Sequence, residues 1–205
     1  MNQQEIFLIG AGGHSSVIAE AISLKGEFKI KAFIDRDSMK IVDTNEVSYP
    51  QLESLKPSKF IVAIGSNDIR KFRYNQMLEL GWSAATIIHP GAIVSELAEI
   101  GAGSFIAAGA IVNCNAKVGV NSIVNSGAII EHHCTVGSHS HVAPGAILGG
   151  AVQIGESALV GLGAKVLPGC SLGQSSVLGA GAVLTGDLEN DQTAFGVPAR
   201  VRSEV

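Results

Sequence analysis

At 205 residues the chain has room for one large or two small domains, each able to bury a core. A formal net charge of −4 and an isoelectric point near 5.8 leave no basic footprint for nucleic acid or an anionic membrane surface. Three cysteines without framework spacing fit a reduced, cytoplasmic protein, and the start MNQQEIFLIGAGG lacks the basic region and cleavage pattern of a signal peptide. Uncharged stretches such as 118–130 repeat Gly, Asn and Ser at fixed spacing, which a lipid-facing helix does not require, so no membrane span is expected.

In chain order, EIFLIG predicts a buried strand, GAGGHSS a glycine loop and SVIAEAISLK an amphipathic helix ended by Gly26. KIKAFID predicts a second strand ending at Asp35 and KFIVAIG a third. SNDIRKFRYNQMLELG predicts a helix with Ser66 as its cap. Strand, glycine loop, helix, strand is a βαβ unit with parallel pairing. Gly10, Gly12 and Gly13 let a nucleotide phosphate reach a helix N-terminus, and Asp35 stands where an acidic residue commonly meets a ribose. The third glycine of G-x-G-x-x-G is absent, because position 15 is Ser; glycines serving only close strand–helix packing is the competing reading. Residues 1–84 offer half of the usual doubly wound sheet, which argues against a dehydrogenase.

From Ile88 the period changes. Steps of six from Ile88 to Leu184 meet Ile, Leu or Val at all seventeen positions, and four residues further on fifteen of the seventeen are Ala, Ser or Cys. Pro90-Gly91, Pro144-Gly145 and Pro168-Gly169 fall at the third and fourth positions, the signature of a type II turn whose second residue needs positive φ. Three such units make one triangular coil of eighteen residues, and stacked coils form a parallel β-helix. The repeat resembles that of the hexapeptide acyltransferases, which implies a left-handed solenoid against the usual crossover rule.

The register sorts the histidines. His133 and His139 occupy the fourth position, where His is tolerated at positive φ, so exposed turn residues are their simplest reading. His132 is at the third position and His141 at the sixth, where no backbone demand explains an imidazole. One coil from His132 lie Cys114 on one side and Gly150 on the other, and a glycine there lets a ligand approach the backbone. Cys134 and Cys170 fall at the inward small-residue position two coils apart, too far for a disulfide. An imidazole suits proton removal from an attacking amine or hydroxyl near neutral pH, and no nucleophile elbow is evident, so direct attack on a thioester is expected. A zinc site recruiting His132, His139 and His141, as in carbonic anhydrase-like hexapeptide proteins, is the rival from a different class.

Together G-A-G-G-H, F-I-D, A-I-G-S-N-D-I-R, I-E-H-H-C and F-G-V-P-A-R resemble the nucleotide-sugar acetyltransferases of bacterial glycan biosynthesis, of the UDP-bacillosamine-pathway N-acetyltransferase and sialic acid O-acetyltransferase type. The resemblance implies a Rossmann-like nucleotide-sugar domain over 1–84 and an acetyl-CoA-binding, catalytic left-handed β-helix over 85–205. It implies a homotrimer with sites between subunits, and N-acetylation of a UDP-linked 4-amino-4,6-dideoxy sugar. O-acetylation of a sialic-acid-like sugar, or a GDP-linked amino-sugar acceptor, are its variants. In residues it implies His132 as base, His133 where relatives commonly have Glu, Glu131 beside them and Asn125 near the acceptor. His141, Gly150, Leu162, Ala180 and Arg200, with Arg202, are implied toward acetyl-CoA, and Gly12, Gly13, His14 and Asp35 toward the nucleotide. Arg36 follows Asp35 where a second aspartate is often found.

Overall fold

The computed structural model describes residues 3–35, 38–41, 47–48 and 52–202; Arg36 lies outside them. The N-terminal part is a six-stranded sheet. Strand β1 (Gln4–Ile9), helix α1 (Gly13–Lys25) and strand β2 (Phe28–Asp35) form the first unit. Two short strands that the sequence did not announce follow, β3 (Ser38–Ile41) and β4 (Val47–Ser48). Then come β5 (Lys59–Val62), helix α2 (Asn67–Glu79) and β6 (Ser83–Ala84). The sheet order is β4-β3-β2-β1-β5-β6, with β1 parallel to both β2 and β5 and the β2–β3–β4 edge antiparallel. Helix α1 ends as expected at Gly26, whose φ of 71° lets its N–H return to the Ile22 carbonyl at 2.9 Å. Ser66 precedes α2 with extended backbone, but its hydroxyl makes no capping bond. The Asn67 amide instead reaches out of the helix to the Ser157 and Ala158 carbonyls at 2.9 and 3.0 Å.

From Ile87 the chain winds as a three-faced parallel solenoid. Strand pairs up to Leu184 are offset by eighteen residues, as Phe105 with Ile123 on the first face, Ile111 with Ile129 on the second and Lys117 with Thr135 on the third. The final coil shortens the offset to sixteen, Val177 with Thr193. The repeated Ile, Leu, Val and Ala side chains point inward as one continuous core running from Ile106 to Ala199. Every fourth position from Gly103 to Gly181 has positive φ, including His133 at 61° and His139 at 60°. Gly91 does not; there the His89 Nδ1 accepts the Gly91 N–H at 2.9 Å and holds the first turn. The recurrent second-position glycines have a separate cause. A Cβ on Gly101 or Gly137 would fall 2.6 Å from backbone of the next coil, so the third face stacks only if they stay bare. On the corner between the third and first faces, buried Ser104, Ser122 and Ser140 bridge coils by donating to Gly119, Gly137 and Gly155 carbonyls at 2.8, 2.9 and 2.7 Å. Cys134 and Cys170 are buried free thiols on the corner between the second and third faces.

The outward positions differ from face to face. Ile87, Phe105 and Ile123 are at most 2% exposed because the N-terminal part packs on them through Ile18, Ala21 and Ile22. Burying each such side chain contributes roughly 1.5–3 kcal/mol. Glu99, Lys117, Thr135 and Gln153 make the third face polar. The second face turns Ile93, Ile111, Ile129 and Ile147 outward, Ile93 exposed and the other three half-buried. Among the described residues, no helix is long and apolar enough to cross a membrane.

Candidate active site

A cleft of about 420 Å³ opens above the C-terminal ends of β2, β1 and β5. Parallel strands leave β1 in opposite directions there, the place where α/β sheets receive ligands. Gly12, Gly13, His14 and Asp35, expected toward a nucleotide, all line it, together with Gly65, Ile69 and Arg73. Gly12 caps α1 without any side-chain bond; the Ser15 N–H returns to the Gly12 carbonyl at 3.0 Å, and the Gly13 and His14 N–H groups are left toward an anion. Gly10 is needed on steric grounds: its φ is 113°, and a Cβ would lie 2.8 Å from Ile64.

At the inner end of the cleft the N-terminal part meets the solenoid. His14 lies edge-on to Phe105, ring centroids 5.7 Å apart, and its Nε2 is buried without a partner. Burial, then the Arg70 guanidinium, lowers His14 to about 4. His141 is lowered to about 4 by the same two causes in the same order, with a smaller contribution from His14; a hydrogen bond to the Gly65 backbone opposes them. Its Nε2 is 3.0 Å from the Asn125 amide, whose Oδ1 in turn accepts the Ser126 N–H at 2.8 Å. Both imidazoles are therefore neutral near pH 7, and His141 joins the Gly65 loop to Asn125.

Arg70 organises this junction, and nothing in the sequence singled it out. It is 1% exposed. Its donors reach the Asn121, Ile64, Gly65, His139 and Ser140 carbonyls and the Asn67 Oδ1, at 2.7–3.2 Å. Burial lowers it to about 10. His139 is drawn into the same contact: its Nδ1 is 2.8 Å from the Asn121 amide and its ring stands edge-on to Tyr74. The expectation of an exposed turn residue fails for His139, because helix α2 covers that corner.

His132 stands elsewhere, exposed on the corner between the second and third faces. Its ring lies over Gly150, where an added Cβ would be 2.6 Å from Cε1 and 2.8 Å from Nε2. The room opposite Gly150 is thus filled by the imidazole. His132 Nδ1 and His133 Nδ1 are 3.1 Å apart, and His133 Nε2 is 3.4 Å from the Asn115 amide. Glu131 is held one coil away, accepting from Asn113 at 3.0 Å. Burial raises the Cys134 thiol, which keeps it protonated on this corner. Gly150 shares the His132 corner, whereas Leu162 and Ala180 stack one coil apart on the corner between the first and second faces, both exposed. Arg200 is exposed in a terminal hairpin of Thr193–Phe195 with Arg200–Val201. His132, His139 and His141 occupy three different edges, and among the described residues no group of three His, Cys, Asp or Glu side chains is placed to hold a metal ion.

Residues 5–77 match the PglD N-terminal domain and residues 151–186 the hexapeptide repeat of succinyl-transferase. PerB from Caulobacter crescentus, solved in complex with CoA and GDP-perosamine, is 34% identical over 97% of both chains, with a TM-score of 0.89. The chain belongs to this family of nucleotide-sugar N-acetyltransferases. Another member, the acetyltransferase domain of PglB from Neisseria gonorrhoeae in complex with acetyl coenzyme A, is 34% identical over 98% of this chain and 100% of that one, with a TM-score of 0.91. The UDP-N-acetylbacillosamine N-acetyltransferase of Bacillus subtilis is 36% identical over 114 residues, and the match spans about half of its length, 52%. The solenoid is accordingly the left-handed β-helix of hexapeptide repeats.

Proposed function

We propose that the chain is an acetyl-CoA-dependent N-acetyltransferase acting on the 4-amino group of a UDP-linked 4-amino-4,6-dideoxy sugar in surface-glycan biosynthesis. The observation that carries the reading is His132. Its Nδ1 is engaged by His133, so with the proton on Nδ1 the lone pair is on Nε2, above Gly150. The neutral sugar amine attacks the thioester carbonyl, and Nε2 takes the proton that the nitrogen must shed. The tetrahedral oxyanion then collapses, the C–S bond breaks and the CoA thiolate leaves. His133 acts as an orienter in the tautomer whose Nδ1 accepts from His132, its Nε2–H then facing the Asn115 side-chain amide, which accepts through its oxygen. Glu131 is held by Asn113 and shapes the corner from there.

Residues 1–84 hold the nucleotide through Gly12, Gly13, His14 and Asp35. Residues 85–205 supply His132, Asn125 and the CoA groove of His141, Gly150, Leu162, Ala180 and Arg200. No solenoid residue lines the cleft, and His132 stands on the corner farthest in the coil from the face that the N-terminal part covers. A homotrimer completes the site: the apolar second face meets neighbouring copies, and a neighbour's His132 approaches this chain's cleft. Free thiols and a cytosolic co-substrate support a cytoplasmic location. A GDP-linked amino sugar is the second reading, favoured by the GDP-perosamine complex of the relative that matches along nearly its whole length. The test measures acetyl-CoA consumption with UDP- and GDP-linked 4-amino sugars and with sialic acid, on wild type and His132→Ala. Turnover of one nucleotide amino sugar, lost by about 10²–10⁴-fold in the variant, supports the reading. An active variant removes His132 as base.

A further inference from the structure

Among the described residues the cleft presents one cation, Arg73, which no carboxylate among them pairs. Among its described lining residues only Asp35 and Arg73 carry a full charge, since His14 is held neutral. A sugar nucleoside diphosphate brings two negative phosphates into that space. The N-terminal end of α1 offers partial positive charge through its Gly13 and His14 N–H groups, but none of the described lining residues is a lysine. Arg70 lies behind the wall with its donors committed to carbonyls and the Asn67 amide, so it adds field and no bond to a ligand. We infer that Arg73 is the side chain that receives the diphosphate of the nucleotide sugar, an assignment that rests on the function proposed above.

The helix explains why Arg73 is presented to the cleft. Asn67, Arg70, Lys71 and Tyr74 lie along one face of α2 and pin it to the solenoid, through carbonyls, the Glu156 carboxylate at 2.5 Å and the Ala102 carbonyl. Ile69 and Arg73, four residues apart, share the other face and both line the cleft. Arg73 gives one N–H to its own-helix neighbour Gln76 at 2.8 Å, and its guanidinium rests 5.7 Å from the Phe72 ring centroid. Among the described residues no carboxylate pairs with it. A guanidinium fork with free donors matches phosphate oxygens in geometry as well as charge. Asp35, at the end of β2, is separated from Gly65 after β5 by two strand spacings, roughly 10 Å. That span accommodates a ribose on Asp35 with the diphosphate between Gly12–Gly13 and Arg73.

Calorimetric titration of UDP, GDP, uridine and guanosine into wild type, Arg73→Ala and Arg73→Lys tests the assignment. Loss of a charge-assisted pair should weaken the preferred nucleoside diphosphate about 10- to 100-fold in Arg73→Ala, with the matching nucleoside unchanged. Arg73→Lys should fall between, and the salt dependence of diphosphate binding should flatten in Arg73→Ala. In turnover, KM for the nucleotide sugar should rise by the same factor while kcat and KM for acetyl-CoA hold. Thermal melting checks that the variants fold. Equal weakening of nucleoside and diphosphate would mean that Arg73 reads the base, and unchanged diphosphate binding would mean that it touches neither; each overturns the inference and leaves the family reading intact. If wild type binds neither UDP nor GDP, the nucleotide-sugar reading falls and takes the inference with it.

Discussion

Gly150→Ala separates catalysis from stability at a single methyl group. The added Cβ would lie 2.6 Å from His132 Cε1 and 2.8 Å from Nε2, where ordinary contact begins at 3.4 Å. Gly150 is not among the residues with positive φ, so its backbone accepts alanine. His132 is exposed, so the imidazole retreats by roughly 1 Å at an off-rotamer cost of about 0.5–1.5 kcal/mol. For a chain of this length that is a Tm change of only a few degrees, at about 2–4 °C per kcal/mol. Catalysis is less forgiving, since a misplacement of about 1 Å in a reacting group costs on the order of 100-fold in rate. Steady-state turnover and thermal melting on the same preparation read both quantities. Gly137→Ala is the contrast: its Cβ meets the Glu156 backbone nitrogen at 2.6 Å, which cannot swing away, so stability is lost there. Full turnover by a well-folded Gly150→Ala would refute the placement of the base over Gly150.

Two further outcomes follow from the same geometry. His14 and His141 sit at about 4, below the ordinary 6.5, so the unfolded chain takes up their protons before the folded one does. Stability should be level above about pH 6.5 and decline between 6.5 and 4, by at most about 1.4 kcal/mol per pH unit for each ring. Urea unfolding across that range should show the decline, with a shallower slope in His141→Gln; a flat profile would contradict neutral burial of the two rings. For the apolar second face, Ile129→Glu should convert a species of about three times 21.1 kDa into monomers in sedimentation. A wild-type monomer would remove the between-subunit site.

The solenoid was legible because its signal is redundant. An eighteen-residue coil imposes the same inward, small and left-handed positions in turn after turn, and Asn115, His133 and Ser157 adopt positive φ even though they are not glycine. That the glycine loop and Asp35 share one cleft was legible for a different reason: a parallel strand feeding a helix opens a crevice at the strand's C-terminal end. The β2–β3–β4 edge was not, because two- to four-residue antiparallel strands carry too short a pattern. His139 was misplaced because φ describes only its own turn, whereas what covers it is a helix some seventy residues earlier in the chain. Arg70 left no trace for the same reason: its acceptors are main-chain carbonyls, which every residue possesses.

The way α2 meets the solenoid shows how such a contact is nevertheless dictated. Successive coils present the same corner residues eighteen apart: Gly103, Asn121, His139 and Ser157. Coils rise by about 4.8 Å and an α-helix by 5.4 Å per turn, so residues three or four apart on α2 meet consecutive coils. Tyr74 lies against Gly103, where a Cβ would be 2.5 Å from its ring. Arg70 then bonds at Asn121 and His139, and Asn67 at Ser157. Two helical steps cover three coil steps because the long Arg70 side chain bridges two coils, and one helix thereby grips four coils. The grip fixes Gly65 and Ile69, hence two walls of the cleft, to the body that carries His141 and Asn125. A repeat built for stacking thereby sets the distance between the cleft and the His141–Asn125 pair.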